Sequence, residues 1–570
     1  MDTKNAYRIA WGLVLLVLAS GWVIPPLMDF DAAQIGTISQ AMLRRGDWLT
    51  LLNRDYVTGL DYDYLDKPHL VYWSAILGYK LFGPGHMGMR FVSILSTLLA
   101  CLSVFRIGQR LYSREAGRWA ALMFVTAQAI LLANHDVRTD SLLTSFTALA
   151  IWQLTVFVDT RRWLPLALGF LFLALGVGTK GLIAALVAGS ALFFLMLGRR
   201  DYPGIFNYRW PAGLLFFFVG LSPFLYAYYL QFDMHPEKFV NGTYGNSGVK
   251  FLLWSHSLDR FAGNRDLVAS PEFSFFYHTV LWAFLPWSLL MATGLWSRLT
   301  ELFRTRGASF FTREQLTFAG VWVMFNLMSM ARFKLPHYLN ILFPLMAVFT
   351  AGHLWQWQSA GRDRAMRRMM RVQVWQAGIL TGLVLLLALW SFPLRNPWIW
   401  LGLAGFGVFT YGVYRNRLRL RTGDRLVLFS AAAVLGVNFF LSTHFYPYLL
   451  RFQSGNRMAE EVRVRGIDPA GVYQLGRVVR SLDFYLDRSV PLIDSAGIME
   501  VVASGRRLHV FSPAAKGDTL VRMFPSAREV VRVPDMRVTR LKAGFFNPWT
   551  RGVGMPEAVL YEVGPGVVVR

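Results

Sequence analysis

Apolar runs about twenty residues long recur along this chain, and that is the length an α-helix needs to cross a hydrocarbon core about 30 Å thick. In lipid the backbone has no water to satisfy its amides, so each run must bond internally as a helix. The first run is Ile9 to Leu27, and twelve more follow at 88–108, 115–133, 139–158, 163–178, 180–198, 211–231, 275–296, 316–332, 337–356, 374–393, 397–415 and 425–446. Composition agrees: the 570 residues are 54% hydrophobic and only 16% charged, against roughly 25% charge in a soluble protein. Disorder, collagen and coiled coil are excluded by this apolar content and by the lack of repeats. The expectation is an all-α polytopic membrane protein with about thirteen transmembrane helices.

Fifty-eight Lys and Arg against 34 Asp and Glu give a formal charge of +24. Most of the excess sits in short segments between apolar runs, where it marks loops retained in the cytoplasm rather than a nucleic-acid surface. Cys101 is the single cysteine, so no intrachain disulfide forms. The N-terminal run is read as a retained span, because Pro25-Pro26 follows it and no small-residue cleavage site does.

The apolar stretch Leu70 to Phe82 decides the topology. Were it to span, every later basic loop, including Arg362 to Arg371 and Arg415 to Arg425, would move outside. The positive-inside rule therefore places it at the interface, where Tyr72, Trp73 and Tyr79 suit the headgroup level. The N-terminus is then cytoplasmic, and the loops 29–87 and 232–274 lie outside. From about 447 the charge rises, and short β-rich runs such as 472–475 and 558–563 appear between Gly and Pro. Two domains are expected: a membrane domain over 1–446, including the outer loop 29–87, and a small soluble α/β domain over 447–570 on the periplasmic side of a bacterial inner membrane.

The polar residues that basic retention leaves unexplained gather on the outer side. Asp29 and Asp31 stand at the membrane surface, where low dielectric can raise a carboxyl pKa into the range of a general base; two hydrated acids ending a span are the plain alternative. Asp66-Lys67-Pro68-His69, followed by Tyr72, sets a lysine among aromatics, and such a lysine can hold a phosphate as a point charge. The turn 133–140 contains Arg138 and Asp140, the latter placed to cap a helix. Lys180 lies between two apolar runs with no neighbouring acid. Lys334, Pro336, His337 and Tyr338 repeat the Lys-Pro-aromatic theme, and His256 lies in an outer loop without defensible metal-ligand spacing. No phosphate-cradling glycine loop, cysteine metal motif or serine nucleophile elbow is present. The set suits a ligand with its phosphate at the membrane surface and its tail in lipid.

The order of these motifs resembles the GT-C fold glycosyltransferases of the protein mannosyltransferase and aminoarabinose transferase (ArnT) type. The resemblance rests on an acid after the first span, then Gly46-Asp47-Trp48, Asp66-Lys67-Pro68, Arg90, Arg138-Thr139-Asp140, Thr179-Lys180-Gly181, Leu285-Pro286-Trp287 and Lys334-Leu335-Pro336-His337-Tyr338. It implies transfer of a sugar from a polyprenyl phosphate, such as undecaprenyl phosphate, outside the membrane with inversion at the anomeric carbon. By resemblance Asp31 is the catalytic aspartate and Lys67 the phosphate-contacting lysine. Arg90, Arg138, Lys180, Lys334 and Tyr338 would line the donor's phosphate and lipid cavity. Asp29, Asp66, His69, Tyr72, Asp140, His256 and His337 are further site candidates.

The chain departs from the family after Asp31, where Ala32-Ala33-Gln34-Ile35 replaces a usual glutamate and arginine. The resemblance names no certain cofactor and leaves a divalent metal open. The acceptor is expected to be a lipid A-type glycolipid, another envelope glycan or a protein, and the chain is expected to be a monomer in the bilayer. A transporter of lipid-linked saccharides is the competing class; the lack of internal repeats and paired broken helices counts against it.

Overall fold

In the computed structural model, which describes residues 3–135, 139–255 and 272–565, the apolar runs are helices packed around a long buried core. The chain begins with α1 (Thr3–Val23) and α2 (Asp31–Arg45), then a two-stranded antiparallel hairpin of β1 (Leu52–Arg54) and β2 (Asp61–Asp63). Next come α3 (Leu70–Phe82), α4 (His86–Leu111), α5 (Arg114–Val125), α6 (Gln128–His135), α7 (Thr139–Thr160), α8 (Trp163–Lys180) and α9 (Ile183–Gly198).

Among the described residues eight helices are long and apolar enough to span a membrane, or nine if α5 and α6, bent by 50°, count as one. The expected thirteen spans are therefore not all simple helices. Helix α9 has 16 residues, and the 316–332 run supplies only the 11-residue helix Ala319–Ser329. The 275–296 run breaks into Phe275–Ala283 and Ser288–Arg304, with Leu285-Pro286 between them. Pro397–Tyr414 has the length, but Trp, Tyr and Gly dilute its hydropathy. Apolar composition marked each run; it carried no information about where proline interrupts the backbone ladder.

Helix α3 is a 13-residue helix, too short to span about 30 Å. It lies against the start of α4 with its backbone close, because Gly78 faces Gly88 and a Cβ there would strike the Gly88 carbonyl. Tyr72 and Tyr79 are buried in this packing, where they fill the space between α3, α2 and the C-terminal region.

After the helix Thr422–Phe452, the tail forms a four-stranded sheet. Its strands are β3 (Val472–Gln474), β4 (Leu508–Pro513), β5 (Arg528–Pro534) and β6 (Glu557–Val563), ordered β3-β4-β6-β5 with β3 parallel to β4 and the other pairs antiparallel. Strand alternation divides β6 between two faces. Ala558 and Leu560 pack on Met458, Val462 and Leu482, whereas Val559, Tyr561 and Val563 pack on Ile498 and Leu520. The tail sits on the same side of the bundle as α3, for Phe484 shares a core with Tyr72, Ala75 and Tyr79.

Candidate active site

Asp31 opens α2, where a carboxylate is favoured by the free amides and positive end of a helix. Gly46, with φ 68°, closes the helix in a conformation that costs glycine little. Asp47 then accepts the amides of Leu49 and Thr50, and the Trp48 carbonyl accepts the Trp73 indole N–H at 2.7 Å. The Gly46-Asp47-Trp48 motif thus folds the chain back from α2 onto α3.

This fold-back brings Lys67 to Asp31. The Lys67 ammonium lies 3.3 Å from Asp31 Oδ1, with the two side chains 18% and 42% exposed. The pair is open to solute, and its charges face an accessible space rather than a sealed core. Asp66 accepts a hydrogen bond from the Tyr64 hydroxyl at 3.1 Å. Asp63, the last acid of the hairpin, is held by the Gln231 amide and by Lys238 at 3.0 Å.

A second constellation lies at the start of α7 and end of α8. Lys180 Nζ donates to Asp140 Oδ1 at 2.7 Å, and both side chains are nearly buried. The Lys180 ammonium also stands 4.1 Å from the centre of the Tyr338 ring, and His337 Nε2 is 3.7 Å from the other Asp140 oxygen. Asp140, Lys180, His337 and Tyr338 are therefore one cluster. The acid that Lys180 lacks in sequence is supplied across a helix–helix contact, so Asp140 is an ion-pair partner as well as a residue of a helix's first turn. Lys334 is buried and donates to the Glu272 carbonyl at 3.0 Å; that burial lowers its pKa.

Other expected site residues have structural partners. Arg90 is fully buried, and its guanidinium donates to the carbonyls of His135, Trp22, Pro25 and Pro26. These contacts tie the end of α1 to α4 and α6, which is a clamp on backbone rather than a contact to an outside phosphate. His69 is buried between Trp73 and Tyr228, with Nε2 2.9 Å from the Leu49 carbonyl. Burial pushes its pKa down to about 4, so the neutral ring donates to that carbonyl. Arg138 and His256 lie outside the described residues.

Asp29 does not pair with Asp31's lysine. It faces the tail and accepts the Ser481 hydroxyl at 2.5 Å. Burial lifts its carboxyl to about 6 against the opposing pull of that hydrogen bond and of Arg480 and Arg477. Gln453 grips the same stretch: its carbonyl accepts the Asp29 amide at 2.8 Å and its amide donates to Leu27 O. The Tyr485 hydroxyl accepts the Leu27 amide at 2.6 Å. Gln453, Ser481 and Tyr485 were not legible as site residues. Among the described residues no group of three or more His, Cys, Asp or Glu is placed to hold a metal ion.

This architecture is the GT-C fold. The solved structure of ArnT from Cupriavidus metallidurans bound to undecaprenyl phosphate superimposes with a TM-score of 0.72 over 98% of this chain and 99% of that one, at 18% identity. In sequence the chain is similar to proteins of the mannosyltransferase and aminoarabinose transferase type. The family model described as dolichyl-phosphate-mannose-protein mannosyltransferase matches residues 66–226. An undecaprenyl phosphate-alpha-4-amino-4-deoxy-L-arabinose arabinosyl transferase of Pseudomonas aeruginosa (strain UCBPP-PA14) is 26% identical over 63% of this chain and 62% of its own length. The enzyme of the same description from Edwardsiella ictaluri is 26% identical over 76% of this chain and 77% of its own. An uncharacterised protein of Aquifex aeolicus is 25% identical over 79% and 80%.

Proposed function

We propose that this chain is an integral membrane glycosyltransferase that moves a sugar from a polyprenyl-phosphate donor to an envelope acceptor of the lipid A type. The observation that carries the reading is the Asp31–Lys67 pair, accessible at the end of the bundle where the short helix α3 lies. The relatives named as arabinosyl transferases supply the donor class, undecaprenyl phosphate.

In this mechanism Lys67 exchanges its contact with Asp31 for the donor phosphate, whose charge grows as the glycosidic bond breaks. Asp31, released from the lysine, takes the proton of the acceptor hydroxyl. The acceptor oxygen bonds to the anomeric carbon from the opposite side, and polyprenyl phosphate leaves with the electron pair of the broken C–O bond. Lys180 and Tyr338 line the path of the donor's lipid. Residues 1–446 form the catalytic membrane part, and 447–570 form a periplasmic domain seated over the outer loop. The N-terminus is cytoplasmic and the transfer site periplasmic.

The test is purified protein given a polyprenyl-phosphate sugar and a lipid A-type acceptor, followed by mass spectrometry of the product. Asp31→Asn should lower transfer by about 10²-fold or more, the scale of a lost general base, with folding unchanged. Normal turnover by Asp31→Asn would remove this mechanism.

A further inference from the structure

The helices Asp363–Leu386 and Pro397–Tyr414 each pack along Thr422–Phe440 and little on one another. Between them runs an apolar groove of about 510 Å³, lined by Val374, Thr381 and Leu385 of the first helix, Gly407 and Tyr411 of the second and Ala433 of the third. Val374 to Leu385 covers about 16 Å at a rise of 1.5 Å per residue. That is close to the depth of one leaflet of a hydrocarbon core about 30 Å thick. A groove of this length and lining takes an acyl chain laid along the helix axes.

One end of the groove is cationic. Tyr411 and Tyr414 line it there, with the Tyr414 ring 5.9 Å from that of Phe429. The Arg417 guanidinium lies 5.9 Å from the Tyr411 ring centre and that of Arg425 lies 5.7 Å from Tyr414's, Arg425 also donating to the Tyr414 carbonyl. Arg367 and Arg371 precede Val374 by seven and three positions, spacings that return to the same face of a helix, and both are exposed. Residues 362–371 and 415–425 together hold ten arginines and two aspartates. Asp424 is buried and accepts the Tyr7 hydroxyl at 2.7 Å and the Trp119 indole N–H at 2.8 Å, so it is committed to the core. Retention of basic loops accounts for arginines in these connections; it does not account for guanidinium groups set against the rings that line a groove.

We propose that this groove holds one acyl chain of an anionic phospholipid, whose phosphate meets Arg371, Arg417 and Arg425. Guanidinium groups match phosphate oxygens in geometry and charge, and basic pockets between membrane helices hold anionic headgroups. A chain seated there bridges two helices that touch each other little, so the phospholipid stabilises this corner of the bundle. The transfer donor is not the occupant. The cationic end is where Thr422–Phe440 begins, whereas the tail and the Asp31–Lys67 pair lie toward the end where that helix finishes.

The test titrates delipidated full-length protein in detergent with phosphatidylglycerol, and in parallel with phosphatidylcholine of the same chains. Native mass spectrometry reads occupancy, and thermal melts read stability. Wild type should bind one phosphatidylglycerol at least tenfold tighter than phosphatidylcholine and melt higher with it. Arg371→Gln combined with Arg417→Gln changes two exposed residues and should raise the phosphatidylglycerol Kd about tenfold or more, as expected for two cations lost at a membrane surface. Its affinity for phosphatidylcholine should stay unchanged. Gly407→Leu fills the groove, for a Cβ at Gly407 meets nothing within 4 Å, and leucine is the better helix former. That variant should lose the tight phosphatidylglycerol while melting in phosphatidylcholine as wild type does. Equal affinity of wild type for the two lipids, phosphatidylglycerol binding unchanged in both variants, or a tighter hold on undecaprenyl phosphate that Gly407→Leu abolishes overturns the proposal.

Discussion

Lys67 Nζ and Asp31 Oδ1 stand 3.3 Å apart although 36 positions separate them in the chain. The cation sits before α3 and the acid opens α2, so the contact closes the intervening loop, which folds back at Gly46-Asp47-Trp48 and through the hairpin of β1 and β2. The two charges pair with each other, so under the proposed mechanism a phosphate competes with the carboxylate for the lysine.

That competition predicts the phenotype of Lys67→Ala. The variant should lose affinity for the donor, with KM for the polyprenyl-phosphate sugar rising about tenfold or more, as expected for a lost charge-assisted contact. KM for the acceptor should stay near its wild-type value. Initial-rate kinetics with each substrate varied separately make the distinction, and an unchanged donor KM would contradict the assigned role.

Arg90→Ala is predicted to act on stability. It leaves carbonyls of His135, Trp22, Pro25 and Pro26 without their donor in a buried place. The cost of an unsatisfied buried group is about 1–3 kcal/mol, so melting of the detergent-solubilised variant should occur well below that of wild type. Whatever folded protein remains should keep a near-normal donor KM. A normal melt with a raised donor KM would make Arg90 a phosphate contact.

The buried Asp140–Lys180 pair predicts asymmetry between single and double variants. Lys180→Met alone leaves the Asp140 carboxylate in a nearly closed site, and such broken pairs cost about 3–5 kcal/mol. Lys180→Met combined with Asp140→Leu removes both charges and should recover much of that loss. Comparison of thermal melts across the four proteins reads the coupling; additive losses would show that the pair is not a unit.

Asp29 predicts how the seam between the first outer loop and the tail responds to pH. Its pKa rises from an ordinary 3.8 to about 6 because burial disfavours the charged form. Between those values the folded, docked state holds a proton that the undocked state has lost, so docking weakens as pH rises from about 4 to about 6 and changes little above. Limited proteolysis of the tail should therefore be slower at pH 4.5 than at pH 7. Asp29→Asn, which mimics the protonated acid, should flatten the profile and slow cleavage at pH 7.

The membrane class, the short apolar helix α3 and the strands at 472–474 and 557–563 were legible because hydropathy and alternation are local signals. The Asp31–Lys67 pair was legible through motif order alone, since no periodicity links two residues joined by a hairpin. Lys180 illustrates what was hidden: it reads as an isolated cation, and its acid sits 40 positions away on the preceding helix. Arg90 illustrates the converse, because a buried arginine and a phosphate-binding one look alike until the four carbonyls around it are seen. The grip of Gln453 on Asp29 had no local signal at all.

That grip spans 424 positions, from the amide just ahead of Asp31 to a residue where the last helix of the bundle gives way to the sheet. During synthesis the loop bearing Asp29 and Asp31 emerges early and waits for its brace until nearly four-fifths of the polypeptide has been translated. A nascent or prematurely terminated molecule that stops short of Gln453 thus carries Asp29 and its neighbours without this brace.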